Sequence, residues 1–176
     1  MLMDSAQTRA PAAAPYAFVP GVTPDPSPEE LRRLMLDSGI PEEIHGRLGR
    51  LGISPLTAKM GIVFQEMTVE RMVATMPVAG NEQNAGLLHG GAHLVLAETL
   101  GSIAAVLHAG KPVVGIEIGA THHRGIQRGT VTGTCTPIHL GGTLTTHEIV
   151  MTDEQGRRLS SARITNMILD PERRKD

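Results

Sequence analysis

The chain has 176 residues, a formal net charge of −2 and a single cysteine, Cys135. That length suits one ordinary domain with one core, and so mild a charge gives no reason to expect a nucleic-acid partner. One cysteine excludes an internal disulfide framework and the multi-cysteine zinc patterns; with no Trp, one Tyr and two Phe, platforms for stacking bases are lacking too.

Residues 1–27 are rich in Ala and Pro and poor in core-forming side chains, so an extended or disordered tail is expected there. The start carries an acid at position 4 and no unbroken apolar stretch, which does not read as a signal peptide. A soluble cytoplasmic protein is the expectation. Ser27-Pro28-Glu29-Glu30 combines an N-cap serine, a first-turn proline and two acids, and so starts a helix that Gly39 ends. A second helix follows Pro41 and runs to about Gly49. Residues 28–57 thus form an N-terminal helical extension, ahead of a main domain over 58–170.

From Ala58 the period changes to alternation, with Met60, Ile62 and Phe64 on one side, and Thr68–Pro77 continues as a strand. Asn81–Leu88 has no period and forms a loop. A long helix spans 90–108, closed by Gly110. Four strands follow, over 112–124, 129–138, 143–152 and 157–169, the last two joined by the turn Asp153-Glu154-Gln155-Gly156. Val114, Ile116, Ile118, Ala120 and His122 share one face of the first. Thr130, Thr132, Thr134 and Thr136 form a solvated face of the second. The charged tail PERRKD is expected to fray. Two strands, a helix and four strands define an α+β fold, a mostly antiparallel sheet curled round the helix, with its edges open to pairing between subunits.

Within Gly90–Leu107 the only formal charge is Glu98. A helix apolar nearly all round is normally wrapped by its fold, and a carboxylate there costs several kcal/mol unless paired, hydrogen-bonded or open to a cleft. Glu98 is therefore the first candidate for a catalytic group. The alternatives are a narrow solvated stripe with Thr99 and Ser102, or a buried arginine partner. Three glycines, a His and the central Glu argue against a transmembrane span. His89, His93, Glu98 and His122 could be grouped as metal ligands, but the H-E-x-x-H arrangement is absent and no metal is expected.

The series Gln83-Asn84-Ala85-Gly86-Leu87-Leu88-His89-Gly90-Gly91, then Glu98-Thr99-Leu100-Gly101-Ser102, then Val114-Gly115-Ile116-Glu117-Ile118 and Ala120-Thr121-His122-His123-Arg124 resembles the hotdog-fold acyl-CoA thioesterases, of the phenylacetate-pathway and hydroxybenzoyl-CoA type that uses a helix glutamate. The resemblance covers about residues 58–169. It implies a hotdog fold and hydrolysis of an acyl-CoA thioester without a cofactor. It further implies Glu98 as nucleophile or general base and the Gly90 N–H as oxyanion donor. Gln83 and His89 would hold the substrate near the thioester, with Gly91 beside them; Ser102 and His122 would place the water or acyl group.

His89 has a plainer alternative as a side-chain cap of the helix. Arg124 and Arg128 would meet CoA phosphates or simply end a solvated strand. The implied site lies between subunits of a homodimer or homotetramer, with no nucleic-acid or membrane partner. Two departures stand out: Asn84-Ala85 replaces a common Pro-Phe, and Gly142 stands where many relatives carry Arg. A non-catalytic acyl-CoA binding or sensor domain is the competing function, and a hotdog dehydratase is a third.

Overall fold

The computed structural model describes residues 27–49 and 53–169. The expected tail over 1–27, Ser27 apart, and the charged C-terminal PERRKD lie outside the described residues. Helix α1 (Pro28–Asp37) opens with a reciprocal pair of bonds: the Ser27 hydroxyl accepts from the Glu30 N–H, and the Glu30 carboxylate accepts from the Ser27 N–H. Those bonds to Ser27, the backbone one first, hold the Glu30 carboxyl below its usual range. Helix α2 (Glu42–Leu48) follows, and its Leu48 joins Met35 and Ile40 in the core.

Helix α3 (Pro55–Lys59) corrects the expectation of a strand from Ala58. The Ser54 hydroxyl accepts from the Thr57 N–H at 3.1 Å and Pro55 takes the first turn, and this local chemistry outweighs the alternation. Alternation takes hold only near β1 (Val63–Met67), where Ile62 and Phe64 are buried. Thr68–Arg71 is likewise a turn, because the Thr68 hydroxyl bonds both the N–H and the carbonyl of Arg71. The next strand, β2, is Met72–Pro77.

Helix α4 (Gly90–Ala109) ends at Gly110, whose φ of 59° is the left-handed cap that glycine adopts without strain. Strands β3 (Val113–His122), β4 (Thr130–Leu140), β5 (Leu144–Thr152) and β6 (Arg158–Ile168) complete a six-stranded antiparallel sheet in the order β1-β2-β4-β5-β6-β3. The α+β hotdog architecture expected from the sequence is what forms. One face of the sheet buries Met72, Met76, Val131, Cys135, Ile149, Met151 and Ile164 together with Leu96, Leu100 and Ala104 of α4. Burial pushes the Cys135 thiol up to about 12, so it is a packing residue and not a nucleophile. By length and composition α4 could cross a membrane, yet most of it is buried inside this fold.

Strand β3 departs from its expected stripe. A bulge between Gly115 and Glu117 shifts the register, so Ile118, Ala120 and His122 lie opposite the buried Ile164, Ala162 and Ser160, while Val114 lies opposite the exposed Met167. Ile116, at the bulge, is 52% exposed. β3 is an end strand of the sheet.

The separation of helix and sheet is set at Gly101 and Gly133. A Cβ on Gly101 would collide with Ile164 Cγ2, and one on Gly133 would come within 2.7 Å of Leu100 Cδ1. Gly101→Ala should therefore lower the urea midpoint, because overpacking of about 1–3 kcal/mol outweighs a helix-propensity gain of about 1 kcal/mol. Gly46 in α2 has nothing within 4 Å of the added methyl. Gly46→Ala should raise the midpoint, by about 0.5–1 kcal/mol of stability.

Candidate active site

The loop before α4 is tied down by the Asn81 side chain and by backbone bonds. Asn81 Nδ2 donates to the carbonyls of Met60 and Pro77, the Gln83 N–H to Leu87 O, and the Leu88 N–H to Ile126 O. Gly86 closes the inner turn at φ 72°, a left-handed conformation that side chains disfavour. Gln83 Oε1 accepts from the Ala85 N–H at 3.4 Å, so its amide is held by its own loop.

His89 takes the plainer of its two expected roles: it is the N-cap of α4, with Nδ1 accepting from the Gly91 N–H at 2.8 Å. The Ala92 N–H is spent on His89 O. The Gly90 N–H makes no hydrogen bond among the described residues. An unpartnered donor at the positive end of a long helix is a place where negative charge is stabilised.

His122 faces this entry. Its Nε2 lies 3.0 Å from where a Gly90 Cβ would stand. Ser160 decides its tautomer. The Ser160 hydroxyl donates its one hydrogen to Thr121 O, so it can only accept from His122 Nδ1, 3.1 Å away. Neutral His122 therefore carries its proton on Nδ1 and turns an Nε2 lone pair toward Gly90. His93, one turn into α4, stacks at 5.1 Å from the His122 ring. Burial first, and His122 second, pull the His93 pKa down to about 4. Leu87, Leu88, Gly90, His93, His122 and the exposed Arg124 line one groove here, of about 270 Å³.

Glu98 lies elsewhere. Eight residues beyond Gly90, it is about 12 Å further along the helix axis, and it is exposed in the single chain. Most of α4 is wrapped, as its composition implies, but the sheet covers only the other side at this point, so Glu98 opens to a groove. The solvated-stripe alternative describes the chain better: Glu98, Thr99 and Ser102 share a groove of about 260 Å³. Its opposite wall is the N-terminal extension, with Ile53, Ser54, Leu56 and Thr57, and Thr57 Oγ1 approaches Thr99 Oγ1 at 3.4 Å. Ser102 Oγ donates to Asn166 Oδ1 at 3.3 Å.

The candidate residues thus fall into two grooves with no lining residue in common. Gly90, His122 and Arg124 meet at the helix entry with Gly91 and His89 beside them; Glu98 and Ser102 meet against α3. Arg128 lines a third, more polar groove that shares Leu87, Gly125 and Ile126 with the helix entry. Sequence reasoning missed Ser160, Asn166 and the α3 wall, because each reaches the site through strand register or packing and not through spacing. His93 entered only as a metal candidate. Among the described residues no three His, Cys, Asp or Glu side chains converge as a metal set.

A long helix on a curled six-stranded sheet, with an unpartnered N–H at the helix entry and a glutamate two turns in, is the frame of a hotdog thioester hydrolase. The chain belongs to the thioesterase superfamily, whose family model matches residues 85–160. It is 45% identical over 125 residues to the proofreading thioesterase EntH of Cronobacter sakazakii, covering 69% of this chain and 91% of that one. Among solved structures it is similar to a thioesterase of Haemophilus influenzae at 33% identity and a TM-score of 0.66, over 73% of this chain and 92% of the other. A Staphylococcus aureus thioesterase, 26% identical with a TM-score of 0.63 over 66% of this chain and 100% of that one, has been solved with a glutamine replaced by alanine. The same protein has also been solved with alanine at a glutamate fifteen residues further on.

Two buried imidazoles set a pH dependence. His147 on β5 is wholly buried, neither ring nitrogen has a partner among the described residues, and burial, then His108, lowers its pKa to about 4. His93 is lowered to the same range. The unfolded chain protonates such rings near 6.5, so between about 6.5 and about 4 the unfolded state binds more protons and stability falls as pH falls. Urea midpoints should drop steadily across that window. His147→Leu, which removes two unpartnered polar atoms, should flatten the dependence without loss of stability at pH 7.

Proposed function

We propose that the chain hydrolyses an acyl-CoA thioester at a site shared between two copies. The observation that carries this reading is the split of the candidate residues. One chain holds its carboxylate in one groove and its free helix-entry N–H in another, about 12 Å apart along α4 by the rise per residue. A second copy, paired along the β3 end of the sheet, would set Glu98 of one chain against Gly90 of the partner subunit. The exposed Val114 and Ile116 on β3 give such a pairing an apolar surface.

In this site Glu98 takes a proton from water as the water oxygen bonds to the thioester carbonyl carbon. The oxygen of the resulting tetrahedral intermediate takes its hydrogen bond from the Gly90 N–H. Collapse breaks the C–S bond, the acid is released and CoA leaves as thiolate. The acyl chain lies against Ile53, Leu56, Val95 and Ile103, an apolar wall with no aromatic ring. His122 Nε2 and Arg124 line the thiol side, where the lone pair can accept from an amide N–H of the pantetheine arm and the guanidinium can meet phosphate. The fifteen-residue separation of Gln83 and Glu98 equals that of the two positions replaced in the S. aureus thioesterase, which supports the choice of this pair. Gln83 would assist at the carbonyl once released from its loop.

Glu98→Gln keeps the shape and removes the base. Its kcat, followed by thiol release from a panel of acyl-CoAs, should fall about hundredfold or more, with substrate binding retained. A rate near that of the unaltered protein would leave a binding domain as the better reading.

Sharing of the site is tested by mixing two inactive variants, Glu98→Gln and Gly90→Val. Random assortment makes half the dimers mixed, each with one site that has both original residues, so about a quarter of full activity should return. No recovery after verified exchange of subunits would place both residues of each site in one chain.

A further inference from the structure

Behind Ser102 lies a buried amide that no motif marks. Asn166, on the inner face of β6, is 0% exposed. Its Nδ2 donates to Gly101 O at 3.4 Å, and its Oδ1 accepts from Ser102 Oγ at 3.3 Å. Both partners belong to the same turn of α4, at the point where helix and sheet come closest. Asn166 pairs in register with Thr145 on one side and Gly115 on the other. Gly115 lies beside the amide: a Cβ there would stand 3.7 Å from Asn166 Oδ1, in ordinary van der Waals contact.

Hydrogen counting fixes the direction of this network. Gly101 O is a carbonyl and can only accept, so the amide must turn Nδ2 toward it. That places Oδ1 toward Ser102, and an amide oxygen can only accept. The single hydroxyl hydrogen of Ser102 is therefore spent on Asn166, and toward the Glu98 groove Ser102 offers lone pairs alone. Glu98, one turn earlier on the same helix face, is also acceptor-only when ionised. A water held between two acceptors must direct both hydrogens at them. Its lone pair is then the part left to face a carbonyl carbon.

We infer that Asn166 is a positioning residue for the hydrolytic water: by consuming the Ser102 hydrogen it makes Ser102 and Glu98 a paired acceptor site that orients water for attack. This rests on the proposed role of Glu98, and it favours general-base catalysis over a covalent acyl-Glu98 route, which has no need of an oriented water in its first step. The balance is simple. One water hydrogen passes to the Glu98 carboxylate, the water oxygen bonds to carbon, and the C–S bond breaks to give thiolate.

The test is a double-mutant cycle on full-length protein, with kcat and KM measured for Asn166→Leu, Ser102→Ala and the pair. Asn166→Leu keeps the branching of the side chain, though not its volume, and frees the Ser102 hydrogen to donate into the groove; it should lower kcat about tenfold with KM little changed, a modest part of what misplacement of a reacting group costs. In the Ser102→Ala background the same change should cost less than about twofold, because the group through which it acts is gone. Equal losses in both backgrounds would make Asn166 a packing residue and overturn the inference. A harmless Ser102→Ala would overturn it as well. Either result leaves the role of Glu98 intact, which its own Gln variant decides. If Asn166→Leu fails to assemble, Asn166→Ala, which cannot overpack, takes its place in the cycle with the same two outcomes.

Discussion

Everything in this molecule depends on how closely α4 can lie on the sheet. Gly101 and Gly133 leave no side chain between the two layers, and Ile164 and Leu100 fill the space that a Cβ would need. That contact brings the second half of α4 within reach of Asn166. It also fixes which side of α4 faces away from the sheet. Glu98 and Thr99 are on that outward side because the sheet occupies the other, and Ser102 stands at the edge between the two, where it reaches Asn166. Moving the helix out by a methyl group would loosen the core and the seating of Ser102 together.

The N-terminal extension answers a need that the hotdog core leaves open. A mostly apolar helix covered by a sheet on one face has a second face to protect. Helices α2 and α3 supply part of that cover: Leu48 of α2 and Ile53 just before α3 join the core, and Arg47 donates to Leu107 O at the far end of α4. The cover stops short of Glu98, where Ser54, Leu56 and Thr57 form the far wall of a groove. Leu56 is 50% exposed there, so an apolar side chain waits beside the carboxylate, a combination that suits an acyl chain next to a base.

Period and punctuation made much of this legible. The helix closed by Gly110, the loop before it, the four later strands and the turn at Asp153 lie where alternation and turn residues put them. Three readings failed for local reasons. The helix that Ser54-Pro55 starts runs into what alternation marks as strand from Ala58. Thr68 closes a turn on Arg71. A bulge at Ile116 moves Val114 off the stripe that ends at His122. A bulge adds one residue on one strand, and a single sequence carries no mark of its partner's register. The same limit hid Ser160 and Asn166, whose importance comes from the residues they lie beside. Glu98 stands out by its charge, and in one chain it meets the condition of a carboxylate open to a cleft. Its cost is low because it is not buried there.

The capping of α4 by His89 decides what the helix entry can offer. A helix start leaves several N–H groups without intrahelical partners, and this one distributes them unevenly. Gly91 gives its N–H to His89 Nδ1 and Ala92 gives its own to His89 O, so the residue before the helix consumes two donors. Gly90 keeps the donor that remains, and the absence of its side chain lets the His122 ring stand close against it. A histidine in the capping role thus concentrates the helix's donor capacity on one atom. Its other ring nitrogen, Nε2, then carries the proton, because Nδ1 must accept from Gly91. His122 presents an acceptor beside this helix entry, and its tautomer follows from a hydrogen bond made on the far side of its ring, to Ser160. The polarity of the entry is set before any substrate arrives.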